Sequence, residues 1–212
     1  MNEVLFLGCT RKLRADWQTI VSEIAVPKNL KDQVKIQEAR DAANADLINV
    51  PVLSYHDEIV LLFRDGTIAF EAKAGAIKTE IKLPIEVAGT TDAALLAVLA
   101  ATYPSGLTFP HTGPHPQRLF GIDIKEELRI AAMAAGPNLR NICSYEHWRM
   151  PSQGQTAVLD PYEYAIPSEN RRQITPAALC AGFGIASPDL TTARGRAMAA
   201  MNIARAMGLG LA

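Results

Sequence analysis

The sequence predicts an α/β or α+β fold built on a mixed β-sheet, and three observations support this prediction. An apolar run of strand-forming residues, EVLFLGC at 3–9, opens the chain. Residues 58–73 then contain two apolar runs joined by Arg64-Asp65-Gly66-Thr67, and Asp-Gly between such runs favours a tight hairpin. Later segments change to helical spacing. The alternation of strands and helices gives a mixed sheet flanked by helices.

A helical insertion is predicted after the first strand, over about residues 12–48. Apolar residues recur at helical spacing over 16–24, and Pro27 ends that helix. A second, more polar helix is expected over about 31–48, because its apolar residues form only a narrow stripe.

After the hairpin comes another strand-like run, TEIKLPIEV at 79–87. Pro84 lies within it and favours an edge or bent strand, because proline cannot donate to a sheet. A helix is then expected up to Tyr103, with Thr90 or Thr91 as its cap.

The remaining elements follow from short apolar runs, capping residues and proline positions. They are, in order, a short strand at 107–109, a helix over 117–135, a strand end at 158–160, a helix that Thr175-Pro176 opens, and a final helix from about Thr192 to Met207 with Asp189 or Thr191 as its cap.

Composition predicts a single cytoplasmic domain over residues 1–212. The chain is 49% hydrophobic and 20% charged, which is typical of a globular protein, and its net charge of -1 provides no overall basic field for nucleic acid. Its three cysteines are widely spaced, and Arg11, Lys12 and Arg14 interrupt the only apolar run near the start. We therefore expect reduced cysteines, no signal peptide and no membrane role.

Several phrases resemble the DEDD 3'-5' exonucleases of the ribonuclease-H-like superfamily, which includes polymerase proofreading domains and phage exonucleases. PKNLKDQVKIQEARDAANADL resembles a helical insertion of phage-type members. VLDPYEYAI and RRQITPAALCAGFGI resemble the family's later strand and the helix before its last motif. The resemblance covers most of the chain and implies a ribonuclease-H-like mixed β-sheet.

The family's chemistry uses carboxylates that hold two Mg²⁺ or Mn²⁺ ions at the scissile phosphate. By this resemblance, Gly8 and Thr10 stand where the first strand has its Asp and Glu. Ala200 stands at the aspartate of the last helix, and a slip of two residues places Asn202 there instead. These positions lack charged ligands.

The second motif has two possible alignments. The phrase LTFPHTGPHPQRL places Pro116 at the aspartate, whereas LFGIDIKEEL retains an acid, Asp123, at the start of a helix as the family does. We favour the second alignment. Asp123 and Asp160 are then the acids that could survive from the catalytic set.

The resemblance thus implies an exonuclease-like protein that is catalytically inactive, binds no cofactor, and uses Mg or Mn only if active. Its expected partner is single-stranded DNA or another protein of phage or mobile-element replication or defence. The segment after residue 170 is locally basic, and arginines can bind phosphates without a metal or pair with acids elsewhere. The predicted nucleic-acid-binding residues are Arg171, Arg172, Arg194 and Arg196.

Two other functions remain open. One is an active metal-dependent exonuclease with a rearranged site of Asp123, Asp160 and either Asp189 or Glu58. The other is a structural or assembly protein.

Several residues capable of metal binding or catalysis have simpler interpretations. Four of them could be drawn as a zinc site: His111, His115, Cys143 and His147. Their spacing matches no common zinc finger, and we expect these residues to lie in loops instead. We expect His56-Asp57-Glu58 to be a solvated start of a strand, residues 125–129 a solvated helix face, and Cys9 a small core residue.

Overall fold

The structure is a computed structural model that describes residues 4–17, 31–50, 53–82, 90–103, 119–135, 158–159, 161, 174–186 and 188–208. Its strands are β1 (Leu5–Leu13), β2 (Ser54–Leu62), β3 (Ile68–Lys73), β4 (Ala76–Thr79), β5 (Leu119–Gly121) and β6 (Val158–Leu159). Its helices are α1 (Gln33–Leu47), α2 (Thr91–Thr102), α3 (Ile124–Ala134), α4 (Pro176–Gly182) and α5 (Ala193–Ala206).

The strands form one six-stranded sheet in the order β4-β3-β2-β1-β5-β6. β1 to β4 are joined in antiparallel pairs, whereas β5 pairs in parallel with both β1 and β6. The predicted α/β architecture, a mixed sheet flanked by helices, is therefore confirmed.

The two faces of the sheet bury two different sets of helices. Side chains alternate along a strand, so Leu5, Leu7 and Cys9 of β1 face α2 and α3. Phe6 faces α5 and lies in a second cluster with Val60 of β2. Because β1 is covered on both sides, it has the continuous apolar sequence expected of a central strand.

Capping residues fix the starts of three helices. Thr90, Thr175 and Thr192 each accept a hydrogen bond from the backbone N–H three residues later. The predicted cap at Thr90 and the helix opened by Thr175-Pro176 are confirmed. The final helix is capped by Thr192, one residue later than expected, because Asp189 instead accepts bonds from Thr191 and Thr192 within the preceding turn.

Some element boundaries differ from the prediction. β1 continues to Leu13, beyond the apolar run at 3–9 from which it was predicted, because it pairs with the equally long β2. The strand after the hairpin is Ala76–Thr79 and precedes most of the TEIKLPIEV run. The single helix expected over 117–135 is instead the short strand β5 followed by α3.

Other predictions lie outside the described residues, among them most of the helix over 16–24 and the short strand at 107–109. The helix expected over about 31–48 is present as α1. None of the described helices combines the length and apolar composition that a membrane crossing requires.

Gly8 allows α5 to lie directly against β1. A Cβ atom at this position would overlap the carbonyl oxygen of Ala193 and the backbone nitrogen of Ala197. The facing helix residues are themselves small and buried. The close approach of helix and strand therefore depends on the absence of a side chain at residue 8.

We expect Gly8→Ala to lower the free energy of unfolding by roughly 3 kcal/mol, the upper end of the usual cost of overpacking. The reason is that the added methyl group would meet helix backbone, which cannot rotate away. Urea denaturation measures the change.

Gly182→Ala is the matched control, because a Cβ atom there has no neighbour within 4 Å. We expect it to change stability by less than about 1 kcal/mol. Wild-type stability in Gly8→Ala would show that α5 does not contact β1 as described.

Candidate functional site: a buried charge network

Polar side chains gather at the edge of the sheet where the parallel strands β1 and β5 end. Leu7 pairs with Gly121, the last residue of β5, whereas β1 continues to Leu13. Asp123 then turns the chain into α3 with a φ of 59°, a left-handed conformation that aspartate tolerates better than most residues. The carboxyl ends of parallel strands are common positions for binding sites.

Arg11 lies at the centre of this edge with only 8% of its side chain exposed. Its Nε donates to Oε2 of Glu127 over 2.8 Å, and its Nη2 donates to Oδ2 of Asp123 over 2.8 Å. Its Nη1 donates to Oδ1 of Asn49 over 3.0 Å. The guanidinium thus bridges two carboxylates, a geometry suited to its planar set of donors.

An irregularity in β2 determines which of its side chains enters this region. Thr10 pairs with Glu58 and Arg11 pairs with His56, so Asp57 has no partner in β1. One extra residue in a strand reverses the alternation of side chains. His56 therefore faces the same side of the sheet as Arg11, and its side chain is fully buried.

Both ring nitrogens of His56 contact carboxylates. Nδ1 lies 2.5 Å from Oδ1 of Asp92, and Nε2 lies 2.8 Å from Oε2 of Glu127. The backbone N–H of His56 also donates to Oδ2 of Asp92 over 3.1 Å. A carboxylate can only accept, so both ring nitrogens must carry protons and the ring is an imidazolium.

The two carboxylates that hold His56 come from the first turns of two helices. Asp92 lies in the first turn of α2 and Glu127 in the first turn of α3. Backbone N–H groups at a helix start favour negative charge there. The helix starts therefore help to stabilise two buried carboxylates at the end of the sheet.

The pKa of each of these groups depends on two opposing effects: burial, which disfavours the charged form, and charged or hydrogen-bonded neighbours, which favour it. Burial acts to lower the pKa of His56, but its bonds to Asp92 and Glu127 outweigh burial and raise that pKa to about 9. Burial acts to raise the pKa of Glu127, but the hydrogen bond from His56 and the charge of Arg11 lower it to about 2. At Asp123, partial burial raises the pKa despite the nearby Arg11.

Arg196 of α5 adds a third cation from the other side of the sheet. Its Nη2 lies 3.7 Å from Oε1 of Glu127, too far for a hydrogen bond. That oxygen is buried and accepts no hydrogen bond from any described residue. The network thus combines three cationic side chains with three carboxylates: Arg11, Arg196 and His56 with Asp92, Asp123 and Glu127.

The balance of charges limits what this arrangement can do chemically. Arg11 donates to one oxygen of Glu127 and to one oxygen of Asp123, so these carboxylates do not present the set of unpaired oxygens that hard cations such as Mg²⁺ require. Cys9 lies nearby, but burial, reinforced by the charge of Glu127, raises its pKa well above the usual value. A buried thiol in this form is a poor nucleophile. Within the described residues, the network therefore has the properties of a structural element.

The residues that the sequence resemblance predicts at the positions of catalytic carboxylates occupy different environments. Gly8 is covered by α5, and Thr10 donates to Oδ1 of Asp57 over 2.8 Å. Ala200 packs with Ile122 and α4 in a separate apolar cluster. Asp123 alone joins the network.

The other acids of the rearranged-site hypothesis are not brought together with Asp123 in the described part of the chain. Glu58 pairs with Lys73 over 3.5 Å, and Asp189 bonds within its own turn. Asp160 lies outside the described residues, as do the possible zinc ligands His111, His115, Cys143 and His147.

The predicted nucleic-acid-binding arginines also divide into different environments. Arg194 is exposed on α5, whereas Arg196 is directed to Glu127. Arg171 and Arg172 lie outside the described residues.

Two sequence interpretations were wrong. His56 was expected at a solvated start of a strand, and Glu127 on a solvated helix face, yet both side chains are buried. The cause is the irregularity at Asp57, which turns His56 inward and gives Glu127 a cationic partner. Arg11 and Asp92 were not predicted to be site residues. The only sequence signal for Arg11 is that it is a charged residue in a strand that is otherwise mostly apolar.

Comparison of the chain with protein-family models, curated proteins and solved structures gives no match.

The raised pKa of His56 predicts a specific dependence of stability on pH. The ordinary pKa of 6.5 applies to the unfolded chain, so the stabilising contribution is fully present below about pH 6.5 and is lost as the pH rises through about 9. The shift corresponds to a loss on the order of 3 kcal/mol. Denaturant titrations between pH 6 and 10 in the presence of EDTA measure it.

His56→Asn is the control for this pH dependence, because it cannot take up the proton. We expect the variant to be less stable by roughly 3 kcal/mol at pH 6, since two buried carboxylates lose a cation. Its stability should change much less than that of the wild type over the same pH range. Equal slopes in the two proteins would contradict the assignment of His56 as an imidazolium.

Proposed function

We propose that the chain is a ribonuclease-H-like domain of the exonuclease type that lacks a nuclease centre and acts by binding single-stranded DNA. The placement of three elements supports this fold. The family has its motifs on a first strand, at the start of a helix that follows a short strand, and on a last helix. Here the corresponding elements, β1, β5 with Asp123, and α5, meet at one edge of the sheet.

The bridging contact of Arg11 is the observation that supports the absence of catalysis. Two-metal phosphoryl transfer requires several carboxylate oxygens that face the metal ions. In this chain a guanidinium lies 2.8 Å from an oxygen of Asp123 and 2.8 Å from an oxygen of Glu127. Arg196 of the last helix, whose Nη2 lies 3.7 Å from Oε1 of Glu127, is also a cation. Fixed positive charges therefore lie beside the carboxylates that a two-metal centre would need.

The proposed binding surface consists of three exposed arginines, which we call the α5 arginine strip: Arg64, Arg194 and Arg205. Arg194 and Arg205 lie about three helical turns apart on one side of α5, a separation of roughly 16 Å. Nη2 of Arg205 donates to the backbone carbonyl of Arg64 over 3.3 Å, which holds the β2–β3 turn beside the helix. Neither Arg194 nor Arg64 has a side-chain ion pair among the described residues. These cations are free to contact phosphates.

An exonuclease assay tests the absence of catalysis. We expect the protein, with Mg²⁺ or Mn²⁺, to digest neither single-stranded nor duplex DNA above the background of an Asp123→Ala preparation. The physical reason is that Asp123 and Glu127 are already paired with Arg11, which occupies oxygens that metal ions would need. Digestion by the wild type that disappears in Asp123→Ala would show an active metal site and reject this half of the proposal.

Fluorescence anisotropy with a single-stranded oligonucleotide tests the binding half. Three phosphate contacts predict that log affinity falls with log salt with a slope of about -2. We expect Arg194→Glu/Arg205→Glu to weaken binding at least about tenfold at low salt, because two attractive charges become repulsive.

Arg129→Glu is a charge-reversal control away from the strip, since Arg129 is half exposed on α3, which covers the opposite face of the sheet. It should leave the affinity within about twofold of the wild type, with only the general effect of net charge. No binding by the wild type at low salt, or equal losses in both charge-reversed proteins, would reject the α5 arginine strip as a DNA site.

A further inference from the structure

Two members of the charge network, His56 and Glu127, lie close to Cys9, and the three side chains come from three different elements. The Sγ of Cys9, a ring nitrogen of His56 and a carboxylate oxygen of Glu127 all lie within 4.8 Å of one another. They come from β1, β2 and α3, and all three side chains are buried. Within the described residues, this is the group whose atoms lie close enough to share a metal ion.

We propose that Cys9, His56 and Glu127 form a buried Zn²⁺ site that stabilises the fold. Thiolate, imidazole and carboxylate are the three ligand types that proteins use for this ion. The proposal goes beyond the binding function given above, because the group lies under α2 and α3 and the α5 arginine strip lies on the other face.

The surroundings of His56 match those of a metal-binding histidine. Such a residue usually donates its second ring nitrogen to a carboxylate, which fixes the orientation of the ring. Asp92 holds this position here, with Oδ1 at 2.5 Å from Nδ1, and leaves Nε2 facing Glu127. The hydrogen bond between Nε2 and Glu127 would be exchanged for two bonds to the ion.

Glu127 provides an independent indication of a missing ligand. Its Oε1 is buried and accepts no hydrogen bond within the described part of the chain, although a buried carboxylate oxygen normally has a partner. One atom from each of the three residues lies within 4.8 Å of the other two, and the second oxygen of Glu127 would complete a set of four donor atoms. Four is the coordination number of structural zinc sites.

Charge balance also permits the exchange. Binding requires the thiolate form of Cys9 and the neutral form of His56, so the thiol and the imidazolium each release one proton. One Zn²⁺ then replaces two positive charges that were carried as protons. Arg11 and Arg196 keep their pairing with the same carboxylates, and the total charge of the buried region stays the same.

The experiment uses the full-length chain refolded from denaturant with one equivalent of Co²⁺, because Co²⁺ replaces Zn²⁺ and reports thiolate ligation by a charge-transfer absorption band. Refolding gives the ion access to a site that is closed in the folded protein. We expect the band in the wild type and its absence when one equivalent of Zn²⁺ is present with the Co²⁺ during refolding. The metal-loaded protein should hold about two fewer protons than the protein refolded without metal.

Two matched variants assign the band to a cysteine. Cys9→Ser should lose it, and Cys143→Ser/Cys180→Ser, in which Cys9 is the only remaining thiol, should keep it. The double variant shows whether Cys9 is the thiolate ligand even if Cys9→Ser does not fold. Absence of the band from folded wild-type protein, or its persistence in Cys9→Ser, would overturn the proposal.

Discussion

The imidazolium of His56, held between the carboxylates of Asp92 and Glu127, is the interaction on which the rest of this region depends. It connects β2 to the first turns of α2 and α3 and thereby fixes one end of both helices over the sheet. Buried carboxylates are costly without a cation, and Glu127 has both His56 and Arg11 as hydrogen-bonded partners. The loss of any one partner leaves an unbalanced charge in the interior.

On the proposed function, the same network separates this chain from an active metal nuclease. A metal nuclease keeps carboxylates apart from permanent cations so that metal ions can enter. Here Arg11 bonds to both Asp123 and Glu127, and Gly8 brings the backbone of α5 onto the first strand. On the proposed function, the region supports the fold beneath a binding surface and does not hold catalytic metal ions. A zinc ion bound by Cys9, His56 and Glu127 would support the fold in the same way, after the thiol and the imidazolium have each released one proton.

The sequence predicted the architecture well, because apolar runs, the Asp-Gly turn and the capping residues act locally. It predicted the site poorly. The decisive feature, the unpaired Asp57 in β2, leaves no local signature, yet it turns His56 from an expected solvated position into the core. Glu127 was assigned to a solvated face because charged helix residues are usually exposed. Its burial is possible because Arg11 of β1 and His56 of β2 both donate hydrogen bonds to it. Long-range charge pairing of this kind cannot be derived from spacing alone.

A double-mutant cycle of Arg11→Met and Glu127→Gln tests the central claim most directly, because both substitutions remove charge while largely keeping side-chain volume. The account predicts that the two side chains depend on each other: each single variant should be strongly destabilised, and the coupling between them should be roughly 2 kcal/mol or more in denaturant titrations. Additivity of the two changes within about 0.5 kcal/mol would contradict the account, because it would mean that Arg11 and Glu127 do not act as one buried charge network.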